Sequence, residues 1–165
     1  MTTDFARTVN VVKQYRQDFV LSPHQWRTFN TSLTLDWNKV KFTKKNLSQI
    51  PFERGIYAFV IECPERSFPP HGYIMYVGIT GAQASRQTLR DRYGNYLTES
   101  RELKRAKIHY LLGNWARDLY FHYATVKDRR YSLNNLEHAL CDALLPPFNI
   151  NDFSARIRKV VKAFS

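Results

Sequence analysis

The chain has 165 residues, enough for one domain with its own hydrophobic core. Its 25 lysines and arginines against 14 acidic residues give a formal net charge of +11, which favours a polyanionic partner, nucleic acid first. No apolar run approaches the roughly 18 residues of a membrane span, and two cysteines are too few for a disulfide framework or a zinc ribbon. With no signal-peptide pattern at residues 1–8, the sequence predicts a cytoplasmic protein without a membrane partner, free or associated with the nucleoid.

The first segment of the chain is predicted to be helical. Residues 4–20 place apolar side chains at helical spacing, which predicts an amphipathic helix. Ser22 and Pro23 interrupt that pattern and suit the start of a new helix, because serine is a common N-cap and proline fits the first helical position. A second, shorter helix over residues 23–31 is therefore expected.

A short basic stretch follows these helices. Residues 34–42 are mixed in composition, and we interpret them as a strand or an extended segment. The lysine run that follows includes Lys44 and Lys45, and it is either a solvated face or a set of phosphate contacts. We expect residues 1–50 to form an N-terminal extension and residues 51–165 to form the main domain with a C-terminal helix.

Two strands joined by a loop form the centre of the predicted domain. Residues 55–61 and 73–79 are rich in β-branched and aromatic residues, which favours strands. The segment between them contains three prolines and a glycine, so an antiparallel ribbon with a long loop is the simplest interpretation. Gly55 and Gly78 lie beside tyrosines at the strand ends, where the missing side chain lets another backbone or a ligand approach closely.

The chain after the ribbon alternates helical and extended patterns. Apolar side chains on one side of residues 88–97 predict a helix that also carries Arg90 and Arg92. Residues 100–114 predict a basic amphipathic helix, and the alternation in residues 119–126 predicts the third strand of the sheet. Besides Lys44 and Lys45, the side chains that we interpret as nucleic-acid contacts are Arg90, Lys104, Arg105, Arg129 and Arg130.

The last third of the chain contains a helix with a carboxylate beside its apolar stripe. Ser132 is the expected first residue, and Glu137 lies next to the stripe rather than opposite it. Two prolines end this helix, and Asn149 follows them shortly afterwards. Residues 151–164 again show helical spacing, with an asparagine or an aspartate at the start as N-cap, which predicts a C-terminal helix.

Four separated motifs resemble the GIY-YIG nuclease family. They are GIY at residues 55–57, YVG at residues 76–78, L-x-x-R at residues 89–92 and the late proline–Phe–Asn segment that ends at residue 149. Glu137, 12 residues before that asparagine, stands where the family keeps its metal-binding glutamate. The resemblance covers residues 55–149. The chain departs from the family at Val77, usually isoleucine, and in residues 58–75, because the usual gap is roughly ten residues. We interpret residues 62–72 as a loop insertion.

The resemblance implies an α+β fold, with a small, three-stranded, mainly antiparallel sheet flanked by helices, a helical N-terminal extension and a C-terminal helix. It also implies an enzyme, a metal-dependent DNA endonuclease that uses one Mg²⁺ or Mn²⁺ ion. Restriction or phage defence, mobile-element cleavage and DNA repair all use this domain. Asn149 is expected to orient a neighbouring group through its amide. The catalytic positions that carry over to this chain are Tyr57, Tyr76, Arg92, Tyr96, Glu137 and Asn149.

The chemistry of these side chains suits phosphodiester cleavage. Glu137 can hold one hard cation if waters and phosphate oxygens fill the other positions. The planar fork of Arg92 can bind two phosphate oxygens. By the resemblance, Tyr57 activates the attacking water, while Tyr76 and Tyr96 position water or phosphate. A free tyrosine has a pKa of about 10, so we expect a dense positive field to lower the pKa of Tyr57.

Two other functions stay open. A catalytically silent nucleic-acid-binding module on the same scaffold would explain the charge, but every catalytic position holds its expected residue. A basic adaptor for an acidic partner would explain the charge of +11 but not the ordered motif residues. DNA is the expected partner, with RNA as an alternative. We expect specificity to come from residues 1–50, from the loop at 62–72, from a homodimer or from a partner protein.

Overall fold

The computed structural model describes residues 2–63, 68–83, 85–99, 105–149 and 151–163. Their elements in chain order are α1 (Thr2–Gln14), α2 (Pro23–Thr28), β1 (Asn38–Lys41), a 3-10 helix (Lys44–Gln49), β2 (Gly55–Glu62), β3 (Gly72–Thr80), α3 (Leu89–Glu99), α4 (Ala106–Asn114), β4 (Leu119–Thr125), α5 (Leu133–Leu144) and α6 (Ala155–Ala163). The architecture is α+β, with helices flanking an antiparallel sheet. Among the described helices, none combines the length and the apolar composition needed to cross a bilayer.

The sheet has four strands, one more than the sequence predicts, in the order β1-β4-β2-β3. β2 and β3 form the predicted antiparallel ribbon, with Tyr57 opposite Gly78. The additional strand is β1, which pairs with β4 and places Val40 opposite Phe121. The sequence suggests a strand or an extended segment at residues 34–42, but the strand count is too low because pairing between segments so distant in the chain leaves no local pattern. Residues 38–50, assigned above to an extension, thus contribute β1 and the 3-10 helix.

Side chains alternate between the two faces of the sheet and create two hydrophobic layers. One layer packs α3 and α4 on the sheet, and its buried side chains include Tyr57, Phe59, Tyr93, Tyr96, Leu111 and Phe121. The other layer packs α5 on the opposite face, and its buried side chains include Ile56, Ala58, Val77, Leu136 and Leu140. Successive residues of β2 therefore enter different layers, so Tyr57 points towards α3 while both of its neighbours point towards α5.

Several helices are shorter than their sequence patterns predict. α1 ends at Gln14 rather than at residue 20, because the next two N–H groups bond back three residues in a tight turn. α2 ends at Thr28 and has Pro23 in its first turn, as expected. α6 begins at Ala155, after a turn that the periodicity included in the helix. Of the basic helix predicted over 100–114, residues 100–104 lie outside the described part of the chain.

Candidate active site at the edge of the sheet

Three motif tyrosines meet on the face of the sheet that packs against α3. The hydroxyls of Tyr57 on β2 and Tyr96 on α3 lie 2.8 Å apart in a hydrogen bond. The ring centroids of Tyr57 and Tyr76, which lies on the neighbouring strand β3, are 6.3 Å apart. Tyr57 and Tyr96 are 2% and 0% exposed, whereas Tyr76 is partly open to solvent. The fold thus brings Tyr57 of the GIY motif and Tyr76 of the YVG motif together with Tyr96 of α3.

Gly78 makes room for this cluster. A Cβ atom at this position would lie 2.4 Å from the hydroxyl oxygen of Tyr57 on the facing strand. At Gly55, a Cβ atom would lie 2.2 Å from the carbonyl oxygen of Ala124 on β4. The close approach expected at both glycines is confirmed, because a side chain occupies the space at Gly78 and a backbone group occupies it at Gly55.

A Gly78→Ala substitution is expected to displace the Tyr57 ring and to lower the free energy of unfolding by about 1–3 kcal/mol, because the added methyl group overlaps a buried side chain. Urea denaturation measures the change. Gly113→Ala in α4 is the matched control: nothing lies within 4 Å of its Cβ position, so alanine should stabilise the helix by about 0.5–1 kcal/mol. Equal stability of the two variants would contradict the packing described for Tyr57.

Arg92 lies on the same face of α3 as Tyr96, four residues earlier. Its Nε atom is buried and has no hydrogen-bond partner among the described residues. Such an unpartnered donor is uncommon in a folded protein, and a phosphate oxygen would satisfy it. The charge of Arg92 acts on both Tyr57 and Glu137, where it opposes a rise in pKa. The three side chains therefore share one electrostatic environment.

Arg90, the other arginine of this helix, is bound to the protein itself. Its guanidinium donates to the carbonyl oxygens of Ile50 at 2.6 Å and Ser48 at 2.8 Å. It also lies 3.8 Å from the centroid of the Phe52 ring. These contacts attach the start of α3 to the 3-10 helix, and they leave Arg92 as the arginine that faces the tyrosines.

Glu137 approaches the same edge of the sheet from α5. Its carboxylate is partly buried, and this burial is the main reason that its pKa rises from 4.5 to about 7, followed by the negative charge of Asp152. The charge of His138, a backbone hydrogen bond from Ile79 and the charge of Arg92 act in the opposite direction. At neutral pH the carboxylate is only partly ionised, and a nearby cation would favour its charged form.

Asn149 binds the backbone of the YVG motif on β3, which is an edge strand. Its Oδ1 accepts the Val77 N–H at 2.7 Å, and its Nδ2 donates to the Val77 carbonyl at 2.8 Å and to Asp152 Oδ2 at 2.9 Å. Beside it, the N–H of Phe148 donates to the carbonyl of Met75 at 3.1 Å. Asn149 is completely buried and pairs with β3 as a further strand would. It is a positioning residue for this strand.

The expectation that the site favours a tyrosine phenolate is wrong for this structure. Burial raises the pKa of Tyr57 well above its ordinary value, and Tyr96 and Tyr76 raise it further. Burial also raises the pKa of Tyr76, with Tyr96 as the next cause. The charge of Arg92 opposes the rise at Tyr57 but is outweighed, because removing a phenolate from water costs more than one guanidinium offsets. Both hydroxyls are therefore neutral hydrogen-bonding groups.

Arg105, predicted as a nucleic-acid contact, is the N-cap residue of α4 and supports the tyrosine cluster. Its guanidinium forms an ion pair through two nitrogens with the buried Glu99, at the end of α3. The same guanidinium lies 5.1 Å from the ring centroid of Tyr96. The hydrogen bonds to Glu99 raise the pKa of Arg105. This ion pair fixes the last turn of α3, which carries Tyr96.

The other side chains predicted as nucleic-acid contacts differ in whether their charge is paired with another group of the protein. Arg130 is bound to the carboxylate of Asp128. Three of the side chains are exposed and form no hydrogen bond or ion pair with another described residue: Lys44, Lys45 and Arg129. Lys104 lies outside the described residues. A role in nucleic-acid binding stays a prediction for each of these side chains.

Asp152 is a site residue that the sequence analysis did not identify. The pattern suggested it only as a helix N-cap, whereas its carboxylate accepts a hydrogen bond from Asn149 and raises the pKa of both Glu137 and Tyr76. The sequence feature that could have identified Asp152 is its position three residues after Asn149. No group of three or more His, Cys, Asp or Glu side chains in the described ranges could hold a metal ion. A cation beside Glu137 would therefore need water and substrate oxygens as further ligands.

No protein-family model, curated protein or solved structure matches this chain. A function for the chain therefore has to be inferred from its own residues. The features available for that inference are the tyrosine cluster, the unpartnered donor of Arg92, the partly ionised Glu137 and the strand edge held by Asn149.

Proposed function

We propose that this protein is a metal-dependent endonuclease that hydrolyses phosphodiester bonds of DNA with a GIY-YIG-type site. The observation that carries the proposal is that motif residues dispersed over the chain meet at one edge of the sheet. They come from four different elements and are Tyr57 on β2, Tyr76 on β3, Arg92 on α3 and Glu137 on α5. Their order in the sequence alone would not require this proximity, so the geometry supports the resemblance independently.

The side chains at this edge fit one hard cation. Glu137 has a pKa of about 7, so a cation can compete with a proton for its carboxylate at neutral pH. Asp152 adds a second negative charge close by. Mg²⁺ is usually bound by one or two carboxylates, with waters and phosphate oxygens as the other ligands. Glu137 would hold one Mg²⁺ or Mn²⁺ ion, which when bound supplies positive charge to the scissile phosphate and the leaving oxygen.

The other side chains have roles that follow from their contacts. Arg92 would donate its unpartnered Nε–H to a phosphate oxygen and stabilise the negative charge that grows there during cleavage. The hydroxyls of Tyr76, a partly exposed residue, and of Tyr57 would orient the attacking water through hydrogen bonds. Tyr96 holds the Tyr57 hydroxyl in place. Asn149 fixes the strand that carries Tyr76.

The test is incubation of supercoiled plasmid with the purified protein and Mg²⁺ or Mn²⁺. We expect nicked or linear DNA in the presence of the ion, none in EDTA, and none with a Glu137→Ala variant that still binds DNA. Discrete fragments would indicate sequence-specific cleavage. Intact plasmid with the wild-type protein, under conditions in which both proteins bind DNA equally, would refute the nuclease proposal.

A catalytically silent DNA-binding module is the second candidate. The raised pKa values of Tyr57 and Tyr76 favour it, because neither hydroxyl is ionised to act as a base. This candidate predicts DNA binding that weakens steeply with salt, no cleavage with either ion, and no effect of Glu137→Ala on affinity. The plasmid assay and a binding titration together therefore separate the two functions.

A further inference from the structure

Two clefts of about 250 Å³ each lie side by side just beyond the end of β3. Both are lined by Arg54, Gly81 and Arg129, so they form the two halves of one depression, here called the paired clefts. One half continues along the first residues of α5, and the other along the segment before α3. The cationic side chains that line them are Arg54, Arg86, Lys127, Arg129 and Arg130.

Arg54 gives the paired clefts a fixed centre. Its guanidinium donates to three backbone carbonyls, those of Gly81 at 3.2 Å, Asp128 at 2.9 Å and Tyr131 at 3.3 Å. These carbonyls belong to the segments that follow β3 and β4. Gly81 has a φ of 77°, and a Cβ atom there would lie 2.5 Å from the Cβ of Arg54. The backbone around Arg54 is therefore closely packed, and the neighbouring charged side chains project from defined positions.

Positive charge in the paired clefts exceeds the negative charge available to balance it. Burial, and next the charge of Arg129, lower the pKa of Arg54, so two guanidiniums lie close enough to repel each other. Asp128 is already bound to Arg130, and Glu53, which also lines one cleft, pairs with Lys127. Arg86 and Arg129 are exposed and form no hydrogen bond or ion pair with any other described residue. An anion in either cleft would relieve this repulsion.

The paired clefts adjoin the candidate active site. Gly81 comes two residues after Ile79, whose backbone hydrogen bond acts on Glu137. On α5, Leu133 lines one cleft and lies one turn before Glu137, a rise of about 6 Å along the helix. Phosphates of one DNA strand repeat every 3.4 Å or so along the duplex axis, so this rise spans about two phosphate repeats. A DNA strand bound beside Glu137 would therefore run close to the paired clefts.

We propose that the paired clefts bind the DNA backbone next to the scissile bond, with Arg86 and Arg129 each contacting a phosphate. This inference rests on the proposed function for its ligand, DNA, but its readout is binding and not cleavage. Phosphate contacts position a duplex without reading its sequence, so the paired clefts would set where the strand crosses the site. Sequence preference would then be determined elsewhere on the protein.

The test is fluorescence anisotropy of a labelled duplex of about 20 base pairs, in EDTA, over about 50–200 mM NaCl. Arg86→Ala and Arg129→Ala are each expected to weaken binding about 3- to 10-fold and to reduce the slope of log K against log salt by about 0.9, the loss of one phosphate contact. Arg117→Ala is the matched control. Arg117 is also exposed but precedes β4, at the end of the sheet opposite Gly55 and Thr125.

Each outcome of this titration decides the proposal separately from the nuclease function. Arg86 and Arg129 variants that match Arg117→Ala in affinity and slope would overturn it, whether or not the wild-type protein cleaves plasmid. Weaker DNA binding by both variants would support it even if no cleavage were seen. Loss of binding to anionic phospholipid vesicles, with DNA affinity unchanged, would assign the paired clefts to a lipid surface and overturn the proposal.

Discussion

Replacing Asn149 by alanine is expected to lower the free energy of unfolding by about 3–5 kcal/mol. The variant loses three hydrogen bonds at a fully buried position, two of them to the backbone of Val77 and one to Asp152. A buried polar group left without a partner costs about 1–3 kcal/mol, and two backbone groups lose their partner here. Urea denaturation at neutral pH measures the change. Because β3 carries Tyr76, we expect cleavage to fall as well.

Two further variants sharpen this prediction. Asn151→Ala is the matched control at an exposed position, with an expected change within about 0.5 kcal/mol. Asn149→Asp keeps an acceptor for the Val77 N–H but places a carboxylate oxygen beside the Val77 carbonyl and Asp152. Its destabilisation should be large at neutral pH and smaller in acid, where the protonated carboxyl group can donate again. Similar stability of Asn149→Ala and Asn151→Ala would refute the positioning role.

A Glu137→Gln variant is expected to lose cleavage by about 100-fold or more and yet to be more stable than the wild type at alkaline pH. Folding raises the pKa of Glu137 from 4.5 to about 7, so the folded state disfavours the carboxylate. The contribution of Glu137 to stability is therefore fully present below about pH 4.5 and is lost as the pH rises through about 7. Glutamine is neutral at every pH. Its advantage above about pH 8 should reach about 1–2 kcal/mol, allowing for partial exposure.

Thermal and urea unfolding between about pH 4 and 9, in EDTA, measure this difference. The two proteins should unfold alike at the acid end and diverge as the pH rises. Glu53→Gln is the control, because Glu53 is half-exposed, pairs with Lys127 and lies outside the tyrosine cluster. Parallel stability curves for the wild type and Glu137→Gln would contradict the raised pKa. Undiminished cleavage by the variant would separately contradict the role of Glu137 in the reaction.

Those parts of the fold that depend on local patterns could be predicted from the sequence. Runs of β-branched and aromatic residues predicted β2 and β3, and the alternation after residue 118 predicted β4. The start of α5 was readable because the Ser132 hydroxyl caps the helix by accepting the Asn135 N–H. Glu137 and Asn149 could be chosen by their place in the motifs, and both lie at the edge of β3 in the structure.

The remaining features depend on contacts between distant segments, which a linear pattern does not record. Pairing of β1 with β4 joins residues 38–41 to residues 120–123, so a possible strand at 34–42 could be suggested from the sequence but its place in the sheet could not. The ion pair of Arg105 with Glu99 depends on how α4 packs beside α3. The pKa of Tyr57 depends on complete burial, which outweighs the net charge of +11 because distant surface charges are screened by solvent.

The hydrogen bonds that the Phe148 N–H and the Asn149 side-chain amide form with β3 also bear on aggregation. An uncovered edge strand is a template for the strands of other molecules. Here the edge at Met75 and Val77 is already occupied, and the opposite edge, β1, is only four residues long and bears Lys39 and Lys41. The segment that completes the site therefore also blocks intermolecular strand pairing. A chain truncated before Phe148 would lose the Asn149 contacts of the site and the cover of the β3 edge, and it would be prone to form β-sheet aggregates.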